Sequence, residues 1–244
     1  MYRRRGESLS LRITRRSKGR FGMGVEIVTS MVSDYLNAHD WVAASSIASG
    51  LGQTYKKVMA MRISAAREVL LEELAKGRAS AIDPLPDDAA TVTFRYMRAA
   101  QEGAARLNLR LLAGVITGQI SGPGLYADEF LRWADILAGL RREEILVLGV
   151  MQRLNDLPPN PEHETNPTFL FWMECESILH AEYGIGRHVS VAHANALLRT
   201  GLVQLAAGSM DTPMVPTPTF ALADLSSLLA VEGILRSEAG ATSP

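Results

Sequence analysis

The 244-residue chain has a single cysteine, Cys175, so no disulfide framework can form within it. That agrees with a reducing compartment, and a cytoplasmic location is expected. No run approaches the ~18 consecutive apolar residues that a membrane-spanning helix requires. No apolar segment follows the arginines at the start of the chain, which excludes both a signal peptide and a twin-arginine address. Aromatic residues make up only 6% of the chain, while Ala, Leu, Arg and Glu abound, a composition that favours helices.

Catalytic and metal signatures are also missing. Residues 118–124 are rich in glycine (Gly118, Gly122, Gly124), but they join two expected helices with no preceding strand and no following lysine, so they do not form a phosphate loop. Glu174, Cys175, Glu176, His180, His188 and His193 cluster within twenty residues. Their spacing matches no standard zinc site, and Cys175 falls on an apolar stripe. Asp128, Glu129, Glu143 and Glu144 lie in the first turns of expected helices, where the helix dipole accounts for negative charge. No catalytic residue, metal or cofactor is therefore expected, and the chain reads as a non-enzyme.

What is present is globular: 47% apolar and 21% charged residues. The net charge of −1 hides a division. Residues 1–20 carry eight basic residues against Glu7 alone, and the remainder carries 17 basic and 25 acidic residues. The basic segment, with Arg3, Arg4, Arg5, Arg12, Arg15 and Arg16, reads as a disordered arm over residues 1–22. Such an arm suits nucleic acid or anionic lipid. Its plainer reading is a solvated leader ahead of a start at Met23.

Apolar periodicity predicts helices over residues 25–36 (Val28, Met31, Val32, Tyr35, Leu36) and 53–76 (Tyr55, Met59, Ile63, Ala66, Leu70, Leu74). Asp40 is placed to cap a short segment over residues 41–51. The proline-bearing stretch 78–88 predicts a linker and a boundary. A long helix over 89–117 then turns Phe94, Met97, Leu107, Leu111 and Val115 inward. Arg95, Arg98, Arg106 and Arg110 form a solvated or salt-bridged face. Residues 126–140 and 142–154 read as an αα-hairpin with Trp133 at its margin. Asn166 and Pro167 supply the N-cap and first residue of a helix that buries Phe169, Trp172, Cys175 and Leu179.

The end of the chain is the most specific. A helix over 191–199 stops at Gly201, a strand-like Leu202-Val203 follows, and the chain re-enters a helix at Thr217-Pro218. A glycine there lets the chain reverse. Helices over 166–183 and 191–199, a hairpin over 202–215 and a closing helix over 220–235 outline a winged helix. Arg187, Asn195 and Arg199 would then read base edges. The expected fold is mainly α, a helical bundle with a C-terminal winged-helix-like module. Its parts are the arm (1–22), an N-terminal helical segment (23–77), a helical core (89–155) and the module (166–236).

Leu107-Asn108-Leu109-Arg110-Leu111-Leu112-Ala113, Leu125-Tyr126-Ala127-Asp128-Glu129-Phe130 and residues 137–146, with Leu198-Arg199-Thr200-Gly201-Leu202-Val203, carry a further likeness. The chain resembles uncharacterised prophage-associated bacterial helical proteins of the abortive-infection alpha type. That resemblance implies a non-enzymatic role in phage–host conflict or prophage biology and assigns no residue a role. The function expected is an accessory or regulatory interaction protein that engages DNA through the winged helix and basic arm, with a protein partner or homo-oligomer. The alternative is a phage-defence or toxin-like effector acting by oligomerisation or membrane contact through residues 41–51.

Overall fold

A computed structural model describes residues 23–38, 50–77, 84–122, 124–157, 167–207 and 213–241. The expected basic arm and most of the segment 41–51 lie outside these residues. Among the described residues the fold is mainly helical: α1 (Met23–Ala38), α2 (Gly50–Leu74), α3 (Pro86–Glu102), α4 (Arg106–Ser121), α5 (Ala127–Leu137), α6 (Arg142–Asn155), α7 (Pro167–Tyr183), α8 (Arg187–Leu197), then β1 (Val203–Ala206), β2 (Val215–Pro218), α9 (Phe220–Leu228) and α10 (Val231–Ala241). No described helix is long and apolar enough to cross a membrane.

Helix α4 is the centre. Its buried residues run through Leu107, Leu111, Val115, Ile116 and Ile120, and α2, α3, α5, α9 and α10 pack around it. The buried apolar residues form one cluster from Val25 on α1 to Leu235 on α10. Helix α6, buried along Ile145, Val147, Leu148 and Met151, joins this bundle to α7, α8 and α10. Two amides close helix ends inside the core. Asn108 Nδ2 donates to the carbonyls of Leu137 and Leu140 (2.7 and 2.8 Å). Gln152 donates to Leu229 O at 2.9 Å and accepts from Val231 N–H at 2.7 Å, which satisfies the break between α9 and α10.

Several sequence expectations need correction. The expected helix 89–117 is two helices, because Gly103 adopts a left-handed φ of 95° and its N–H bonds back to Ala100. Pro86 does not belong to a linker but occupies the first turn of α3. Phe94, expected inside, is exposed on the rim of α3, its ring edge-on to Tyr35 with centroids 6.2 Å apart. Trp133 is fully buried instead of marginal. No αα-hairpin forms from α5 and α6: α5 packs on α3 and α4, whereas α6 packs on α7, α8 and α10. Tyr55, read as part of the core stripe of α2, is exposed. Thr217 and Pro218, expected to open the closing helix, belong to β2, which pairs antiparallel with β1 (Val203↔Pro218, Gln204↔Thr217, Leu205↔Pro216, Ala206↔Val215). The two-stranded sheet has only edge strands, where proline is tolerated.

Arg110 also departs from the sequence reading. Only 4% of it is exposed, and its guanidinium sits where α2, α4 and α10 meet. It donates to Glu73 at 2.9 Å, to Glu72 at 2.7 Å and to Glu238. Burial works against its charge, but the bonds to Glu238 and Glu73 outweigh it and hold the pKa above the ordinary arginine value. The arginine row of the sequence is therefore split. Arg98 pairs with Glu102 at the surface, whereas Arg110 ties three helices together.

Candidate functional site

The helix over 191–199 begins earlier than its sequence pattern suggested. Helix α8 starts at Arg187, directly after a three-residue connection, 184–186, from α7. Gly184 has φ 67° and its N–H bonds to His180 O, while Ile185 N–H bonds to Leu179 O at 3.1 Å. This pair of back-bonds ends α7, and the left-handed residue between them requires glycine or a tolerant substitute. Two helices joined by so short a turn cannot run far along one another, and α8 is thrown across α6 and β2.

One face of α8 is sealed. Ser190, Ala194 and Leu197 are buried, and Ser190 Oγ donates to Arg187 O at 2.8 Å. The opposite face is open: His188, Ala192, Asn195 and Arg199 are all exposed, at spacings of four, three and four residues. A 3-10 turn, Leu198–Thr200, carries Arg199 past the end of the helix. Gly201, at φ 71°, then reverses the chain into β1. Thr219 Oγ1 donates to Gly201 O at 2.7 Å and Thr219 N–H to Leu202 O at 3.0 Å, which pins the start and finish of the hairpin together.

Arg187 at the start of α8 and Arg199 just past its end are both held by buried glutamates. Arg199 makes a two-pronged contact with Glu144 at the start of α6, with Nη1–Oε1 and Nη2–Oε2 each 2.7 Å, and Nη1 also donates to Ala196 O. The Glu144 side chain is 2% exposed and that of Arg199 is 50% exposed. The bonds from Arg199 hold the Glu144 carboxyl below the usual carboxylate range, against its burial and with help from the Arg141 N–H. Arg187 Nε lies 3.2 Å from Glu176 Oε2, a carboxylate on α7 that is likewise buried. The other oxygen, Glu176 Oε1, is buried with no hydrogen-bond partner.

Of the residues expected at an interface, Asn195 and Arg199 share the open stripe, whereas Arg187, also exposed, lies roughly 80–120° around the helix from them. Arg3, Arg4, Arg5, Arg12, Arg15 and Arg16 lie outside the described residues. Sequence reading missed Glu144 and Glu176 as partners. Glu144 carried a first-turn signal that explained it locally, and no local signal marks an ion pair across 55 residues. Cys175 lies behind this face, fully buried, and its thiol is pushed well above its ordinary pKa, first by burial and then by Glu174 and Glu176. It is a packed apolar group. Among the described residues no group of three or more His, Cys, Asp or Glu stands where it could hold a metal ion. No family model, curated protein or solved structure matches the chain.

Proposed function

We propose that the protein is a regulatory DNA-binding protein whose α6–α7–α8–hairpin unit works as a winged helix. In this reading α8 enters the major groove and the hairpin β1–β2 is the wing. The observation that carries the proposal is the open stripe His188–Ala192–Asn195–Arg199 on a helix whose other face is sealed against its own fold. Ala192 keeps the middle of the stripe low enough for close approach. Asn195 suits the paired donor and acceptor of adenine, and Arg199 suits guanine. Arg199 is already oriented by Glu144, so less freedom is lost when it meets a base edge.

Phosphate contacts must come from elsewhere, because residues 166–236 contain three arginines against six carboxylates. The basic segment 1–20 supplies that charge, and affinity should therefore fall steeply with salt. The test is fluorescence anisotropy of the full chain with labelled random-sequence duplexes between 50 and 200 mM salt, followed by selection of preferred sequences. Binding that weakens with salt, a selected site, and relaxed selectivity in N195A support the reading. No retention of duplex by the full chain at low salt overturns it.

A second reading rests on a different observation. Met214 and Phe220, flanking β2, are 63% and 91% exposed. That pair suits a protein partner contacted through the hairpin. A partner captured equally by wild type and N195A, but lost in F220A, would favour it.

A further inference from the structure

Helix α2 has two unlike halves. From Ile63 onward it packs on the bundle through Ile63, Ala66, Val69, Leu70 and Leu74. Over residues 54–62 no side chain is buried. Tyr55, Val58 and Met61, three of the large exposed apolar residues of the molecule, fall within seven positions there. The outward face follows Thr54, Val58, Met61, Ala65 and Glu68, at spacings of four, three, four and three, and every member is exposed; Glu72, one step further on, turns instead to Arg110 and Arg106 of α4. That alternation is the seam of a helix pair.

The charges of α2 have a direction as well. Lys56, Lys57, Arg62 and Arg67 precede any acid, and Glu68, Glu72 and Glu73 follow. Glu72 and Glu73 stand in the last turn, where the helix dipole disfavours anions, and Arg110 offsets that within the chain. Lys57 and Glu68 are exposed on opposite sides of Met61. A second α2 running the other way brings Lys57 of each copy toward Glu68 of the other, and the two dipoles oppose.

We propose that α2 is a dimerisation helix that pairs antiparallel with α2 of a second copy, about a two-fold axis at Met61. In this register Met61 meets Met61, Val58 stands level with Ser64 and next to Ala65, Thr54 stands level with Glu68, and Lys57 comes within reach of Glu68. The contact repeats twice by symmetry, as an isologous interface requires. It spans residues 54–68, a length of about 22 Å at the rise of an α-helix. The self-complementary charge order selects a second copy over an unlike partner.

Sedimentation equilibrium of the full chain tests this. The expected mass at low salt is twice 26.5 kDa. M61E should sediment as a monomer with unchanged circular dichroism. K57E and E68K should each weaken the dimer by about tenfold or more. An equimolar mixture of K57E and E68K should dimerise again, because one copy then presents only acids and the other only lysines at these positions. The double variant K57E/E68K should also dimerise with itself. A monomeric wild type, a dimer indifferent to M61E, or single swaps that neither mixing nor combination rescues would overturn the proposal.

Discussion

Two arginines of this molecule use the same chemistry in opposite settings. Arg110 sits inside the seam of α2, α4 and α10 with three carboxylates around it, almost closed to water. Arg199 sits at the exposed end of α8 with one buried carboxylate behind it and half of its side chain open. The first has no free edge to offer a ligand, so its role ends with holding helices. The second is held on one side and open on the other, the arrangement of a group positioned to meet something else. Burial, more than charge, separates a structural arginine from an interaction arginine here.

The largest effect expected is from R110A, which leaves the buried Glu73 with Lys76 alone at 2.6 Å and removes the ties to Glu72 and Glu238. Denaturant unfolding should show a loss of about 3–5 kcal/mol, the range for breaking one side of a buried ion pair. A result near zero would show that Glu73 and Glu238 relax into water and that the seam is not closed.

Another contact of α4 can be broken without touching a charge. A Cβ on Gly118 would stand 2.0 Å from the carbonyl oxygen of Leu228, a backbone atom that cannot swing aside. G118A should cost about 1–3 kcal/mol through forced separation of α4 from the end of α9. Thermal unfolding measures it directly, and an unchanged midpoint would mean that α9 is free to shift.

R199A sharpens the comparison at the other pole. It leaves Glu144 buried with only the Arg141 N–H, for an expected loss of about 1–3 kcal/mol. The sign with pH follows from the depressed carboxyl of Glu144. Because the folded state holds this proton more weakly than the unfolded one, the pair contributes fully above the ordinary glutamate range. That contribution is lost as pH falls through the lower, folded value. R199A should therefore begin its acid unfolding at a higher pH than wild type, read by circular dichroism from pH 6 downward. Parallel acid profiles for the two proteins would remove the pair from the stability account.

The smallest effect on stability is expected from R187A. Its contact with the buried Glu176 is single and longer, 3.2 Å against the two 2.7 Å contacts of Arg199, so about 1 kcal/mol is expected to be lost, the low end of the range for leaving a buried group unpaired. Its consequence should appear in duplex affinity instead. If R187A destabilises the fold as much as R199A, the N-terminal end of α8 is structural and not presented.

Much of the helical layout was legible because it depends on neighbours a few positions apart. The 3.6-residue rhythm of Val28, Val32 and Tyr35 marked α1. Asn166-Pro167 marked the start of α7, and Gly184 and Gly201 marked the two reversals around α8. The hairpin was visible too, although its second strand extends through Thr217-Pro218 where a helix was expected. The misplaced features share a different cause. Phe94, Trp133 and Tyr55 were assigned by stripe position, but whether a stripe is covered depends on which helix arrives over it. Arg110 looked like its surface neighbours because Glu73 and Glu238 lie 37 and 128 residues away.

The chain by itself determined most of its helix positions, the reversals at Gly184 and Gly201, and the order of basic then acidic residues along α2. These follow from φ preference, apolar period and charge order, all local quantities. Only the tertiary structure decided that Arg110 is buried and Arg199 open, that Glu144 and Glu176 stand behind the arginines of α8, and that one end of α2 is left uncovered. Those outcomes depend on desolvation and on contacts between residues far apart in sequence, which no short window contains.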